Sequence, residues 1–541
     1  MIKPLSLLLI IFISSFLNAQ TSPENPRLVI GIVVDQMRYE YLHRFENHYS
    51  DNGFKRLIED GFFAKNTHFS YIPTYTGPGH ASVYTGTTPA NHGIISNNWY
   101  DKFKNQSVYC VQDNKVNAVG VDGKTGQMSP HRMLTTSIAD QNRLHTQFRG
   151  KTFGISIKDR GAILPAGHTA NAAYWFVGGD EGKFITSDFY LDELPKWVTK
   201  FNRKTKQYFK TWETLYPIEE YRESGDDLND YEFGFKGQST ATFPYNLKKL
   251  KSENGNYDIL KPTPFANTML TDFAVTLIEN EELGQDGNAD FLTISYSSTD
   301  YAGHNFGVNA KELQDMYIRL DQNIADLLNF LDQNIGKDNY TIFLTSDHGA
   351  VHVPNYLKDK NIPAGYFNTD KLKKAIMDFV EVQFESSKLI EGFSSQNIFF
   401  DYAELEKLDV EADDLQEALY YYLLQYDKID RVYTRDMIEN SNSSTAFSRH
   451  IANGFHPKRS GDVIYVLEPS VISYPPKGST HGSYMTYDTQ APLIFYGQGI
   501  NQGQSYKAYF IKDIAPTLAA LLDIAQPNGT TGKVIGEALK N

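Results

Sequence analysis

A chain of 541 residues, 41% hydrophobic and 21% charged, can bury a large core and has the composition of an ordinary globular protein. Its formal net charge of −14 excludes an extended nucleic-acid groove, which needs basic surface, but still allows a small phosphate pocket whose positive charge comes from metal ions. The single cysteine, Cys110, rules out an intramolecular disulfide.

In chain order, residues 1–19, "MIKPLSLLLIIFISSFLNA", read as a secretory signal. Lys3 supplies the positive start, residues 5–17 form an apolar run too short to span a bilayer, and Ala19 offers a small residue at the cleavage point. A periplasmic or secreted protein without a stable membrane span is expected. Without disulfides, such a protein depends on its core or on bound metal for stability.

Four apolar runs then read as buried strands: "RLVIGIVVD" ending at Asp35, "KTFGISIKD" over 151–159, "DFLTISYSSTD" ending at Asp300, and "YTIFLTSDHG" carrying Asp347. Continuous β-branched runs suit a parallel sheet covered on both faces. Between them lie helical patterns such as residues 310–335, and the alternation predicts an α/β fold. Acidic residues at strand ends fall where open α/β sheets bind ligands. Two stretches interrupt the pattern: the aromatic- and lysine-rich 165–260, and the mixed 355–465. Neither is bounded by a Pro/Gly-rich linker, so one domain over 20–541 with two insertions roofing the ligand edge is expected.

The chemistry gathers at those strand ends. Asp35 follows the first run. "STDYAGHNFG" sets Asp300 and His304 one helical turn apart, "TSDHGA" holds Asp347 beside His348, and "KGSTHGSY" adds His481. A single Asp-His pair is usually a turn, and a strand-end Asp is usually a helix cap. Three carboxylates and three imidazoles at successive strand ends instead form a set suited to two zinc ions with mixed N/O ligands. His80, His92 and His456 have no such sequence neighbours and are expected to serve in packing or in support of the site. Thr76, in "PTYTGPGHASVYTG", precedes a Gly-Pro-Gly turn from which a helix can start. A threonine hydroxyl is a poor nucleophile unless a base or a metal activates it, and no base is adjacent in sequence. A helix N-terminus there would favour a phosphoryl group.

The order Asp35, "TYTGPGHASVYTG", "SNNWY", "SIKDRGA", "STDYAGH", "TSDHG", "STHGSY" resembles the alkaline phosphatase superfamily. Within it the resemblance is to the bacterial phosphate-irrepressible enzymes with a threonine nucleophile, and it spans nearly the whole mature chain. The resemblance implies an alkaline-phosphatase-like core with a mostly parallel central sheet flanked by helices. It implies that Thr76 is transiently phosphorylated. One zinc would be held by Asp35, Asp347 and His348 next to Thr76, and a second by Asp300, His304 and His481. Asn97, Lys158 and Arg160 would face the phosphoryl group, and the substrates would be small phosphate monoesters.

Lys158 and Arg160 separate the alternatives. A monoester's transferring group carries an extra negative charge that cations stabilise, whereas related nucleotide pyrophosphatase/phosphodiesterases lack this Lys-x-Arg pair. A sulfatase would need a Cys or Ser in a C/S-x-P-x-R motif, and Cys110 lies in "VYCVQD". An inactive metal- or phosphate-binding protein would have lost a ligand or the nucleophile, and every position is present. A monomer is expected.

Overall fold

The computed structural model describes residues 25–440 and 445–540, so the proposed signal lies outside the described residues. At the centre stand strands β1 (Leu28–Val34), β2 (Thr152–Ser156), β3 (Ala172–Val177), β4 (Lys183–Ser187), β5 (Asp290–Tyr296), β6 (Tyr340–Thr345) and β7 (Leu493–Gly497). They lie in the order β7-β6-β1-β5-β2-β3-β4 within an eleven-stranded sheet. The five from β6 to β3 are mutually parallel, while β7 and β4 flank them antiparallel. The sheet is thus parallel where it is most buried and antiparallel toward its edges.

Every residue of β1, β5 and β6 is buried, as their unbroken apolar runs require. Along β1 the side chains divide by alternation. Leu28, Ile30, Ile32 and Val34 enter one hydrophobic core with helices α3 (Pro264–Asn280) and α5 (Lys311–Asn334). Val29 and Val33 enter a second core with α1 (Thr76–Thr85) and α6 (Ile514–Leu522).

Register carries the sheet's order to its edge. Val33 pairs with Thr345 and Val34 with Tyr296, while Ser295 pairs with Ser156. The carboxyl ends of β1, β6, β5 and β2 therefore lie side by side, and Asp35, Asp347 and Lys158 follow within two residues of three of them.

Two regions differ from the sequence reading. The first third of 165–260 is no insertion: β3 and β4 extend the main sheet, because "AAYWFV" and "KFITS" are buried, β-prone runs. The second stretch folds around a core of its own, built on a four-stranded antiparallel sheet of Ile390–Ser394, Asn397–Phe400, Val463–Leu467 and Ile429–Thr434. This cap meets the short strand Asn98–Asp101 that follows Asn97, where Ser394 and Ser395 hydroxyls donate to the Asn98 carbonyl. No helix among the described residues is long and apolar enough to cross a membrane.

Candidate active site

The Gly-Pro-Gly segment is not a turn ahead of a helix; it forms the first turn of α1, which begins at Thr76 itself. Proline is tolerated there because first-turn N–H groups have no partner within the helix. At Gly79 a Cβ would lie 2.3 Å from the Asp347 carbonyl oxygen, so glycine is what lets α1 press against the loop after β6. Thr76 is 1% exposed. Its Oγ1 lies 3.5 Å from His348 Nε2, 3.4 Å from Lys158 Nζ and 3.4 Å from Arg160 Nη2.

Lys158 ends the extended chain after β2, and Arg160 is the second residue of helix α2 (Asp159–Ala166). That change of backbone direction lets both cations reach the same hydroxyl. Arg160 Nη1 also donates to the Tyr109 hydroxyl at 3.0 Å, and Tyr109 in turn donates to Asp159. The Gly77 N–H donates to Asn97 Oδ1 at 2.8 Å, which leaves the Asn97 amide NH₂ free to donate.

The acidic residues converge behind Thr76. Lys158 Nζ donates to Asp35 Oδ2 at 2.8 Å and to Asp300 Oδ2. Asp300 and His304 lie one turn apart on α4 (Ser298–Phe306), with His304 Nε2 3.2 Å from Asp300 Oδ1 and His481 Nε2 3.6 Å from it. His348 Nε2 is 3.5 Å from Asp35 Oδ1 and equally far from Asp347 Oδ2. Every one of these imidazoles has its Nδ1 on a backbone carbonyl: His304 on Ser479, His348 on Gly349, His481 on Thr74. With Nδ1–H donating outward, each Nε2 lone pair is turned toward the carboxylates, the tautomer a metal ligand needs.

Burial sets the electrostatics. Together with the charge of Asp347 it pushes Asp35 well above the usual carboxylate range, against the pull of Lys158. Burial acts the same way on Asp300 and Asp347, but His304 and Lys158 hold the first well below that range, and His348 with His80 lowers the second. Burial also lowers His348 and His481, keeping them neutral. Lys158 is raised despite its burial, because Asp300 and Asp35 face it.

Three buried carboxylates thus share one ammonium, and Asp35 Oδ1 and Asp347 Oδ2 accept no hydrogen bond. Buried charge of that kind needs a cation. Two trios bring ligand atoms within 4.8 Å of one another: Asp300, His304, His481 and Asp35, Asp300, His348. The first is the trio the resemblance implied. The second contains Asp300 in place of Asp347, which stays within reach of His348. The donor set of imidazole nitrogens and carboxylate oxygens fits zinc.

Several supports carry no pattern in the sequence. Gln36 sits at φ 65°, unusual for a non-glycine residue. Its N–H donates to Asp347 Oδ1 at 3.1 Å and its side-chain amide to Asp300 Oδ1 at 2.7 Å, so one residue ties two strand ends together. Its only signal was its place after Asp35. Tyr109 gave none. His80 does support the site: its Nδ1 bonds the Thr76 carbonyl at 2.9 Å and stands 3.2 Å from Asp347 Oδ2, and its Nε2 meets Ser295 Oγ at 2.8 Å. His92 packs against Ser82 at 3.0 Å, while His456 lies in the cap with its N–H on Ser460.

Comparison with known proteins places the chain in a family. Residues 29–490 match the family model described as type I phosphodiesterase / nucleotide pyrophosphatase. The chain is 46% identical over 538 residues to a protein of Myroides odoratus named calcium-transporting ATPase, covering 98% of this chain and 97% of that one. It is 44% identical over 523 residues to alkaline phosphatase PhoV of Synechococcus elongatus, with 95% and 93% covered. To alkaline phosphatase PafA of Elizabethkingia meningoseptica it is 40% identical over 542 residues, 98% of each. The PafA crystal structure superposes with a TM-score of 0.92 at 39% identity, covering 96% of this chain and all of that one. The chain belongs to the type I phosphodiesterase / nucleotide pyrophosphatase family of the alkaline phosphatase superfamily, alongside the PafA- and PhoV-type alkaline phosphatases.

Proposed function

We propose that this protein is an exported, zinc-dependent alkaline phosphatase that hydrolyses small phosphate monoesters through a phosphothreonine intermediate and releases inorganic phosphate. The observation that carries this reading is the convergence of two cations, Lys158 and Arg160, on the buried hydroxyl of Thr76 at the start of a helix.

The reaction follows from the groups around that hydroxyl. Thr76 Oγ1 attacks phosphorus in line, the bond from phosphorus to the ester oxygen breaks, and the hydroxyl's proton ends on the departing oxygen, which leaves as the alcohol. Water then attacks phosphorus from the side the alcohol left, the bond from phosphorus to Thr76 Oγ1 breaks, and a proton of that water ends on Thr76 as phosphate departs. Through both displacements Lys158, Arg160 and the Asn97 amide hold the non-bridging oxygens, Arg160 with two parallel donors and Lys158 as a compact charge. Tyr109 keeps Arg160 turned inward, and Gln36 holds Asp300 and Asp347 in position. Asp35, Asp347 and His348 on one side and Asp300, His304 and His481 on the other would hold two zinc ions, which when bound lower the pKa of hydroxyl and water and stabilise a departing oxygen. The cleft beyond Arg160, about 490 Å³ and lined in part by Trp175, Lys261 and Tyr301, leaves room for varied alcohols.

The test compares an aryl phosphate monoester, the matching diester and the matching sulfate on purified, zinc-loaded mature protein. A strong monoester preference abolished by chelation is expected. A diester preference would keep the nucleophile but move the protein to the phosphodiesterase branch of its family.

A further inference from the structure

The loop that carries His481 is held by a buried aspartate that takes no part in the displacements. Asp488 lies in the short helix Thr486–Thr489 and is 1% exposed. Its Oδ2 accepts two hydrogen bonds from one residue, from the Ser483 N–H at 2.7 Å and from the Ser483 hydroxyl at 2.6 Å. Ser483 follows His481 by two residues, so this carboxyl grips the segment that presents the imidazole.

The grip extends to two more segments of the catalytic centre. The Ser483 carbonyl accepts from the Thr74 hydroxyl at 3.0 Å, and the Thr74 carbonyl accepts from His481 Nδ1 at 2.7 Å. Thr74 and the His481 loop are thus bonded in both directions, two residues ahead of Thr76. On the other side, the Asp488 carbonyl accepts from the Gly349 N–H at 2.9 Å and the Tyr487 carbonyl from the Ala350 N–H at 3.0 Å, directly after Asp347 and His348. At Gly349 a Cβ would lie 2.0 Å from the Tyr487 carbonyl oxygen, so these two segments press together. The rings of His348 and His481 stack with their centroids 3.5 Å apart.

We infer that Asp488 is a positioning residue for the catalytic centre: by fixing Ser483 it sets where His481 Nε2 points relative to Asp300 and His304, and it locks that loop to the segments carrying Thr76 and His348. The inference rests on the two-metal reading above. Between His481 and Ser483 the chain turns at Gly482, at φ 120°, a residue that leaves a loop free to move unless its neighbours pin it. A ligand already aimed before the metal arrives loses less freedom on binding it. Burial pushes the Asp488 carboxyl up to about 7, and Oδ2 accepts both Ser483 bonds whether or not the other oxygen carries a proton.

The experiment titrates zinc into the full mature chain against a chromophoric chelator, follows Tm in parallel, and uses His481→Ala to identify the binding step that belongs to Asp300, His304 and His481. In Asp488→Ala that step should weaken about 10–100-fold, while the step at Asp35, Asp347 and His348 changes by less than about threefold. Asp488→Asn, whose side-chain oxygen can accept the same two bonds, should return the affinity to within about threefold of wild type. Ser483→Ala removes one of the two bonds and should weaken the same step about fivefold, which tests the same contacts if Asp488→Ala does not fold. An Asp488→Ala protein with a lower Tm and an unchanged zinc step makes the residue structural and overturns the inference. So does a loss shared equally by both steps, an Asp488→Asn protein no better than Asp488→Ala, or a Ser483→Ala protein with wild-type affinity. A wild-type chain that takes up no zinc would instead overturn the two-metal reading and this inference with it.

Discussion

The central sheet and the cap sheet are built from similar residues, yet only one of them gathers chemistry. In β1, β5, β6 and β2 the strands run the same way, so their carboxyl ends reach one edge together and deliver Asp35, Asp300, Asp347 and Lys158 to one spot. In the cap the strands alternate in direction, from Ile390–Ser394 to Asn397–Phe400 and from Val463–Leu467 to Ile429–Thr434, which sends successive ends to opposite edges. Its hydrophobic face closes on its own helices, through residues such as Leu415 and Leu419, and its loops offer hydroxyls to the backbone beside Asn97. Parallel order concentrates charge; antiparallel order supplies a wall.

Breaking the contrast begins at Thr76. Thr76→Ala should cut monoester turnover by on the order of 10⁴-fold or more and remove phosphate labelling of the chain. It should barely move Tm, because the hydroxyl makes only long contacts of 3.4–3.5 Å. Labelling that persists in this variant would place the nucleophile elsewhere. Replacing Lys158 and Arg160 together by Ser should lower kcat/KM for a monoester by about 10²–10³-fold and for the matching diester by less than about tenfold. Equal losses on the two esters would make the pair structural.

The cap responds in the opposite sense. Leu419 is fully buried in the cap's own core, so Leu419→Ala should cost about 2–5 kcal/mol in denaturant unfolding while leaving bound zinc per chain unchanged. A loss of zinc with this substitution would mean that the two regions are mechanically one. The most gradual effect expected is a pH slope. Burial first, then the charge of Arg459, lowers His92 to about 3, so the folded state keeps it neutral while the unfolded chain protonates it. Folding stability should then fall by about 1.4 kcal/mol for each pH unit below about 6.5, down toward pH 3, and this component should vanish in His92→Gln. His456, half-buried in the cap and lowered by burial to about 4, should show the same loss over a shorter window that closes near pH 4, and a smaller total because solvent screens it. Equal total losses for the two histidines would remove the distinction.

Much of the catalytic edge was legible before folding. Asp35, Asp300 and Asp347 end or follow unbroken apolar runs, and such runs signal strands buried on both faces. The Asp300–His304 spacing placed both on one helix face, and α5 came within a residue at each end of its periodic pattern. Gln36 and Tyr109 were not legible, because their roles depend on partners far away in sequence: Asp347 and Asp300 for the first, Arg160 and Asp159 for the second. The strands Ala172–Val177 and Lys183–Ser187 were hidden inside a stretch whose aromatic and lysine content resembled an insertion.

By itself, then, the sequence determined the element types, the buried parallel strands and the residue kinds at their ends, because periodicity and burial are local properties of a chain. Tertiary structure alone decided that the ends of β1, β6, β5 and β2 share one register and that Lys158 and Arg160 both reach Thr76. Those facts depend on which surfaces pack together, and no local pattern of residues encodes a meeting between distant segments.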